Sequence, residues 1–419
     1  MPRLLLLSSL TLTLALSAAG GDWTQFRGPT GSGVSAEKGL PTKWGAKENV
    51  AWKTEMPGPG SSSPVFIGDR IFITCYTGYN VPGQPKGEQA NLRRHLLTLD
   101  RKSGKILANK EIEAKLPEQE KIRDNHGYAS STPAADAERV YCFFGKSGAF
   151  AFDHAGKQLW HADVGNGLSD WGSAASPVPH GDLVFVNASV ESQTLFAFDK
   201  KTGKEKWSAK GIKESWNTPL VVKTKDGKEE LVVAIQGKVL AFDPVSGAAL
   251  WNCDTDITWY MVPSLVAHDG VVYALGGRSG NAALAVRAGG KGDVTKTHRL
   301  WTSKKGSNVP SPVVHDGHLY WMNEVSGTVF CAKAATGEVV YEERVPRPGD
   351  IYASSLLADG RMHYVSRDGR TFVVAAKPEY EFVATNDLRD GSLFHATPVA
   401  IDGRLFIRSD KFLYCLEKK

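Results

Sequence analysis

Short apolar runs separated by turn residues make up the chain from residue 49 onward. Runs such as Val271–Leu275 and Leu405–Ile407 are rich in β-branched and aromatic side chains, which favours strands. Asp-Gly, Ser-Gly and Thr-Gly pairs punctuate the runs, and glycine there supplies the positive φ of a tight hairpin turn. No long stretch repeats its apolar positions with the period of an amphipathic helix. The pattern predicts an all-β fold.

One eleven-residue segment reveals a repeat. Ala197–Trp207 reads AFDKKTGKEKW, and Ala241–Trp251 reads AFDPVSGAALW, 44 positions later. A second signature, a Ser/Thr-Pro pair or an eroded form of it before an apolar strand, begins eight times: at Ser63-Pro64, Thr132-Pro133, Ser176-Pro177, Thr218-Pro219, Val262-Pro263, Ser311-Pro312, Ser355-Leu356 and Thr397-Pro398. Four short strands in each repeat of ~43 residues are typical of a propeller blade. We therefore predict an eight-bladed β-propeller of four-stranded blades.

The two ends of the chain predict how the ring closes. The last repeat ends at Leu416, after its third strand, and so lacks a fourth. Trp52 stands twelve residues before Pro64, the same distance that separates Trp207 from Pro219. The strand around Trp52 therefore has the position of a fourth strand, but the three strands of its blade do not precede it. We expect it to complete the C-terminal blade. Such closure removes the open edge that a linear array would expose.

The first 48 residues lie outside the repeats. Arg3, the apolar run Leu4–Leu16 and small residues up to Ala19 have the pattern of a secretory signal peptide, so residues 1–19 predict export to the periplasm or beyond. No cysteine lies near the predicted cleavage site, so a lipid anchor at the new N-terminus is not expected. Residues 20–48 are predicted to form an extended arm anchored by Trp23 and Phe26. Residues 49–419 form the propeller, whose first blade carries an insertion at about 76–94 and 111–125.

Composition and charge narrow the function. Hydrophobic residues make up 42% of the chain and charged residues 23%, as in a folded globular protein, and a monomer is expected. The formal charge is +5, but lysines and arginines are scattered, so nucleic acid is not expected as a partner. No later apolar run approaches the ~20 residues of a transmembrane helix. The five cysteines form no C-x-x-C pair, and four lie in apolar runs, which favours buried free thiols.

The repeats resemble the quinoprotein-like (PQQ-like) propeller family over residues 49–419. The resemblance rests on the motif Ala-Phe-Asp-x-x-Ser/Thr-Gly-x-x-x-Trp at 197–207 and 241–251, with shorter versions at 151–160, 99–104 and 335–341. In that family the motif docks a tryptophan between neighbouring blades. The resemblance implies this docking role for Trp52, Trp160, Trp207, Trp251 and Trp301.

The family has two branches that imply different functions. One contains dehydrogenases that hold pyrroloquinoline quinone (PQQ) over calcium on the propeller axis. The other is a noncatalytic scaffold, exemplified by the propeller lipoprotein of the outer-membrane assembly machine, BamB. This chain has no adjacent cysteines, no C-x-x-C-H haem motif and no long segments between blades, so it resembles the second branch. The arm sequence Trp23–Pro29 is shared with exported bacterial propellers.

Residues just before each blade's first strand converge on one mouth of a propeller. Here those residues are aromatic with polar tips, a composition that suits a ligand site or a peptide groove. The candidates are His126, Tyr128, Ser130, Trp171, Trp216, Asn217, Tyr260, Asn308, Tyr352 and His395. No catalytic set and no metal site is expected, since His268 and His315 fall in hairpin turns that point outward.

These observations predict an exported, noncatalytic propeller that binds a protein, peptide or polysaccharide through one face, without a cofactor. The alternative is a dehydrogenase of alcohols or sugars that depends on PQQ and calcium. A sugar-acting enzyme would instead require two carboxylates that face each other in the mouth.

Overall fold

Eight antiparallel sheets surround a common axis in the computed structural model, which describes residues 21–123, 126–277, 280 and 282–419. The predicted signal peptide, residues 124–125 of the predicted insertion and Ser279 of one predicted turn lie outside these residues. Seven of these sheets hold four strands and the sheet of blade 4 holds a short fifth one, and first strands of several neighbouring sheets contact one another at the centre. The predicted eight-bladed β-propeller is confirmed.

The strands of each blade follow in order from the axis outward. Blades 1 to 4 comprise Val65–Ile67, Arg70–Thr77, Arg93–Asp100 and Ile106–Glu113; Ala134–Ala135, Val140–Phe143, Ala149–Phe152 and Gln158–Ala162; Val178–His180, Leu183–Ala188, Thr194–Asp199 and Glu205–Lys210; and Leu220–Lys223, Glu229–Ile235, Lys238–Phe242 and Ala249–Asp254. Blades 5 to 7 comprise Val266–His268, Val271–Leu275, Ala283–Arg287 and Arg299–Ser303; Val313–His315, His318–Met322, Thr328–Lys333 and Val339–Arg344; and Leu356–Ala358, Arg361–Val365, Arg370–Ala375 and Phe382–Asp387.

Blade 8 joins the two ends of the chain. Its strands are Val399–Ile401, Arg404–Arg408, Phe412–Leu416 and the N-terminal Val50–Glu55. The last two pair antiparallel, with Trp52 opposite Cys415. The predicted closure is confirmed, and the third strand of blade 8 has no exposed edge.

In the part of the chain that the structure describes, the helical segments are single turns. They span Ser189–Ser192, Thr295–His298 and the 3₁₀ segments Gln89–Asn91 and Gly145–Ser147. The two-residue strand Gly292–Asp293 pairs in parallel with the outer strand of blade 4.

The repeated motif locks one blade to the next. In blade 3 the Asp199 carboxylate accepts bonds from the backbone N–H groups of Lys201 (3.0 Å) and Thr202 (2.9 Å), and Gly203 closes the turn at φ 69°. The Trp160 indole of blade 2 lies on this glycine and donates to the Lys200 carbonyl at 2.9 Å. The turn therefore presents both a flat surface and an acceptor to the neighbouring tryptophan.

The same contact recurs between other blades. Indole N–H groups donate across blade boundaries from Trp52 to Lys102 (2.9 Å), from Trp207 to Pro244 (3.1 Å) and from Trp301 to Ala334 (2.9 Å). The first of these pairs joins blade 8 to blade 1, so it secures the closure of the ring.

Trp251 differs from the other four tryptophans. Its indole donates to the Glu230 carboxylate of its own blade at 2.7 Å. Blade 5 lacks the Asp-x-x-Ser/Thr-Gly turn, and its residues 289–298 instead lay the strand Gly292–Asp293 beside Trp251. The inserted strand takes the place of the missing turn.

A chain of hydroxyl groups links the innermost strands. In seven of the eight blades a backbone N–H donates to the Ser or Thr hydroxyl of the next blade at 2.9–3.1 Å; the residues are Ser63, Thr132, Ser176, Thr218, Ser264, Ser311, Ser354 and Thr397. This chain corrects the alignment of two repeats. Ser264, not Val262, and Ser354, not Ser355, occupy the equivalent position. The hydroxyl residue marks the equivalent position in each repeat, because its oxygen accepts the hydrogen bond from the neighbouring blade and the proline takes no part in that bond.

The N-terminal arm closes the axis from the side opposite these hydroxyls. Trp23 exchanges two backbone hydrogen bonds of 2.9 Å with Phe66 of blade 1, and Leu357 of blade 7 donates to the Gly33 carbonyl at 2.8 Å. Arg27 is fully buried and donates to the Pro312 carbonyl of blade 6. The arm thereby occupies polar edges of first strands that would otherwise face an open channel.

The structure also bears on the predictions of buried free cysteines and of no transmembrane helix. All five cysteines are buried free thiols, as expected. None of the helices within the described ranges is long and apolar enough to cross a membrane.

Candidate functional site

A cavity of about 160 Å³ lies on the propeller axis, where the first strands begin. We call it the axial cavity. All eight blades and the arm contribute to its lining, which consists of Phe26, Ser61, His126, Ser130, Trp171, Ala174, Ser176, Trp216, Thr218, Tyr260, Val262, Ser264, Val309, Ser311, Tyr352, Ser354, His395 and Thr397. Seven of the ten residues singled out in the sequence therefore meet in one cavity: His126, Ser130, Trp171, Trp216, Tyr260, Tyr352 and His395.

The lining follows a two-residue rule. In each blade the residue two positions before the ring hydroxyl faces the cavity: Ser61, Ser130, Ala174, Trp216, Val262, Val309, Tyr352 and His395. Residues in extended backbone alternate between two sides, so every second side chain points to the axis. The hydroxyl layer forms the inner wall of the cavity, and this second layer surrounds its mouth.

Three predicted residues lie outside the cavity, and the alternation explains two of them, Asn217 and Asn308. Asn217 falls between two lining residues and is fully buried, and its side-chain amide bonds to the carbonyl (2.6 Å) and N–H (3.2 Å) of Ala234. Asn308 precedes a lining residue and lies beside Tyr260, with its amide nitrogen 3.5 Å from the phenol oxygen. Tyr128 points under the blade 1 insertion and donates to the Gln119 carbonyl at 2.8 Å.

Polar side chains on one wall are held in fixed orientations. His126 places Nδ1 2.6 Å from the Ser130 hydroxyl and Nε2 2.6 Å from the Trp171 carbonyl. On the same wall, His395 accepts a bond at Nε2 from Arg367 (3.0 Å) and places Nδ1 3.3 Å from the Ser61 hydroxyl, which also donates to the His126 carbonyl at 2.9 Å. Burial, the Arg367 charge and His126 hold the pKa of His395 well below its ordinary value. His395 is therefore neutral at physiological pH.

Aromatic rings form the opposite wall. Tyr260 packs against Trp171 and Trp216, with ring centroids 5.9 and 5.5 Å away. Trp216 donates its indole N–H to the Gly172 carbonyl at 2.7 Å, which fixes the ring. Phe26 of the arm reaches the cavity from the far side. The sequence predicted Phe26 only as an anchor of the arm, because nothing in a single chain's pattern shows that the arm enters the channel.

The two parts of the blade 1 insertion meet beside the mouth. Asn80 and Tyr79 both donate to the Glu120 carbonyl, at 2.6 and 3.0 Å, and Gln89 donates to that of Glu118 at 2.8 Å. The buried Glu118 carboxylate forms an ion pair with the buried Arg94 of blade 1. The insertion is thus tied to the propeller by a buried charge pair.

A second buried carboxyl group lies next to that pair. Glu191, in the helical turn after blade 3's second strand, accepts a hydrogen bond from the Ser173 hydroxyl. Ser173 belongs to the loop that carries Trp171 into the axial cavity. Burial is the main cause that raises the pKa of Glu191 to about 7 from its ordinary value of 4.5.

We expect Glu191→Gln to stabilise the protein at pH 8 more than at pH 5. The folded state binds the Glu191 proton more tightly than the unfolded state, so wild-type stability falls as the pH rises from 4.5 to 7. The difference in unfolding free energy between variant and wild type should increase by about 3 kcal/mol over that window. Urea unfolding at both pH values measures it. An unchanged difference would show that Glu191 is ionised in the folded protein.

Comparisons with known proteins agree on the fold. BamB from Moraxella catarrhalis superimposes with a TM-score of 0.63 at 14% identity, over 88% of this chain and 97% of that one. A quinohemoprotein alcohol dehydrogenase from Comamonas testosteroni gives 0.67 at 10% identity, over 95% and 81%. The computationally designed protein Ika8 gives 0.59 at 12% identity, over 87% and 98%. At these identities the likeness shows the fold alone.

Sequence comparison identifies the family. No curated protein matches this chain. The sequence profile described as outer membrane protein assembly factor BamB, however, matches residues 93–343, which is more than half of the chain. This chain therefore belongs to the BamB-like family of PQQ-repeat propellers.

Proposed function

We propose that this protein is an exported, noncatalytic propeller that binds a protein, peptide or polysaccharide through the face that carries the axial cavity. The observation that carries the proposal is the lining of that cavity. Aromatic rings and hydroxyl groups from all eight blades converge there, while no carboxylate or ammonium group of the described residues contributes to the lining. Aromatic pockets with a few oriented polar groups are typical of binding sites.

The residues at the axis do not fit calcium. Calcium takes six to eight oxygen ligands, usually with carboxylates among them. Eight Ser and Thr hydroxyls line the cavity, and six of them already accept a backbone N–H from a neighbouring blade. Within the described ranges no three His, Cys, Asp or Glu side chains are grouped to hold a metal ion. The oxygen atoms present are thus neutral, without the carboxylates that calcium usually requires.

The cavity does not fit the quinone either. Its volume of about 160 Å³ is below the ≈ 300–1,000 Å³ typical of sites that enclose drug-sized ligands. PQQ is a fused-ring tricarboxylate and requires cations, but Arg367, the cation bonded to the lining residue His395, also packs over the Tyr352 ring at 4.5 Å and lies 3.8 Å from Asp350. Oxidation through a quinone is therefore not the function that this site supports best.

Two further arguments support location and partner class. The N-terminal sequence has the pattern of a secretory signal, and the family description names a factor of outer-membrane protein assembly. Both favour a role outside the cytoplasm. The partner that we propose for the face with the axial cavity is a protein, a peptide or a polysaccharide.

Photo-crosslinking from the mouth tests the proposal. Trp259 is exposed next to Tyr260, so p-benzoylphenylalanine at position 259 lies within reach of a ligand in the axial cavity. Val245, on an outer turn of blade 4 and 78% exposed, provides the control position. In the native host we expect a discrete adduct at 259 and none at 245. Equal adducts at both positions, or none at either, would contradict binding through this face.

A further inference from the structure

The hydroxyl layer of the axial cavity has unused hydrogen-bonding capacity. Thr218 and Ser264 each accept one backbone N–H, at 3.0 Å, and Thr397 accepts one at 3.1 Å. Ser311 and Ser354 differ, because the Ser354 hydroxyl also donates to that of Ser311 at 3.0 Å. A hydroxyl that accepts one bond retains a proton to donate and a second lone pair. A buried donor or acceptor left without a partner costs about 1–3 kcal/mol. The layer therefore favours a ligand that both donates and accepts over an apolar one.

The facing wall has the opposite character. Trp171, Trp216 and Tyr260 present ring surfaces and edges, and Phe26 adds a fourth ring. The π face of an aromatic ring carries partial negative charge and attracts weakly polarised C–H groups. A pyranose ring combines both requirements, because its C–H groups lie on its faces and its hydroxyls project around its rim.

The charge and the volume of the axial cavity further restrict the class of ligand. His395 is neutral, and His126 places its two ring nitrogens against Ser130 and Trp171. Among the described residues, no Asp, Glu, Lys or Arg side chain lines the cavity. A buried charge on the ligand would have no ion-pair partner there, which is costly. The volume of about 160 Å³ admits one small ring and excludes a longer chain from the cavity itself.

We infer that the axial cavity binds the terminal ring of a neutral oligosaccharide. This inference rests on the proposed function and specifies its ligand. The ring stacks on the wall of Trp171 and Tyr260, its hydroxyls bond to the Ser/Thr layer, and the rest of the glycan leaves through the mouth.

An array of neutral oligosaccharides built from the common hexoses and pentoses, followed by calorimetry on each bound trisaccharide, tests the inference. Uronic acid trisaccharides and an uncharged peptide, acetylated and amidated at its ends, complete the panel. We expect binding of a neutral trisaccharide and none of the acidic ones. Trp171→Ala should weaken binding about tenfold, as loss of an aromatic contact in a pocket does.

Two matched pairs of variants locate the ligand. Thr218→Val removes one hydroxyl of the layer and should weaken binding about fivefold, the value of one hydrogen bond, whereas Thr218→Ser keeps it. As the counterpart of Trp171→Ala, Val245→Ala truncates an exposed apolar side chain on an outer turn of blade 4 and should leave the affinity unchanged. Thermal unfolding of each variant establishes that it folds.

Three outcomes would overturn the inference. A sugar affinity that Trp171→Ala leaves intact would place the glycan elsewhere, and binding of the peptide instead of sugars would assign another ligand class. If the array shows no binding while crosslinks form at position 259, the sugar inference fails and the proposed function stands. If the array shows no binding and no crosslinks form at position 259, both the sugar inference and the proposed function are contradicted.

Discussion

A chain that begins at Met56 is expected to lose the cooperative fold of the whole propeller. The deletion removes Val50–Glu55, the outer strand of blade 8, and with it the pairing to Phe412–Leu416. It also removes Trp52, which packs on Gly104 and donates to Lys102 of blade 1. Loss of a fully buried tryptophan costs about 3–5 kcal/mol; Trp52 is partly buried, so its own share is smaller, and the exposed strand edge adds a site for aggregation.

The matched control begins at Glu48 and retains the strand. It lacks the arm that closes the axis but keeps the closure between blades 8 and 1. We expect the control chain to unfold in a single thermal transition. The chain that begins at Met56 should show no cooperative transition, or should bind a hydrophobic dye at low temperature. Thermal unfolding followed by circular dichroism compares them. Equal midpoints would show that the N-terminal strand is dispensable for closure.

Gly247→Ala should destabilise the ring by about 3–4 kcal/mol. Gly247 has φ 72°, where a residue with a side chain is strained by about 1–2 kcal/mol. A methyl group there would also lie 2.5 Å from the Trp207 ring, and such overpacking costs about 1–3 kcal/mol more. The tryptophan would have to leave its position between blades 3 and 4.

Gly237→Ala separates the two contributions. Gly237 has φ 80°, but a methyl group there would meet no atom within 4 Å. We expect this variant to lose only about 1–2 kcal/mol, the cost of backbone strain. Urea unfolding of both variants gives the difference. If the two lose equal stability, the tryptophan contact contributes nothing to the junction between blades.

The sequence predicts the ring well because the ring is a repeat. The number of blades follows from the eight Ser/Thr-Pro-type starts, and the placement of Trp52 as a fourth strand follows from the spacing of Trp207 and Trp251 from the next Pro. Two repeats were misaligned, since their proline is displaced or missing and the feature that the ring requires is a hydroxyl. Ser264 and Ser354 are recognisable only from their bonds to neighbouring blades.

The site is harder to predict than the ring. Asn217 and Asn308 are adjacent in sequence to lining residues, and only the alternation counted back from the ring hydroxyl excludes them. The same alternation would have found Val262 and Val309. Phe26 carries no such signal, because it lies outside the repeats and reaches the cavity through the path of the arm. The contacts of Trp251 likewise depend on a strand from the next blade.

Reconstitution with quinone and calcium tests the central claim, that the axial cavity binds without performing redox chemistry. The purified protein is mixed with excess PQQ and Ca²⁺, passed through gel filtration, and assayed for bound quinone by absorbance and for dye reduction with a panel of alcohols and sugars. We predict that no quinone elutes with the protein and that the dye is not reduced. One bound quinone per chain together with dye reduction would contradict the account.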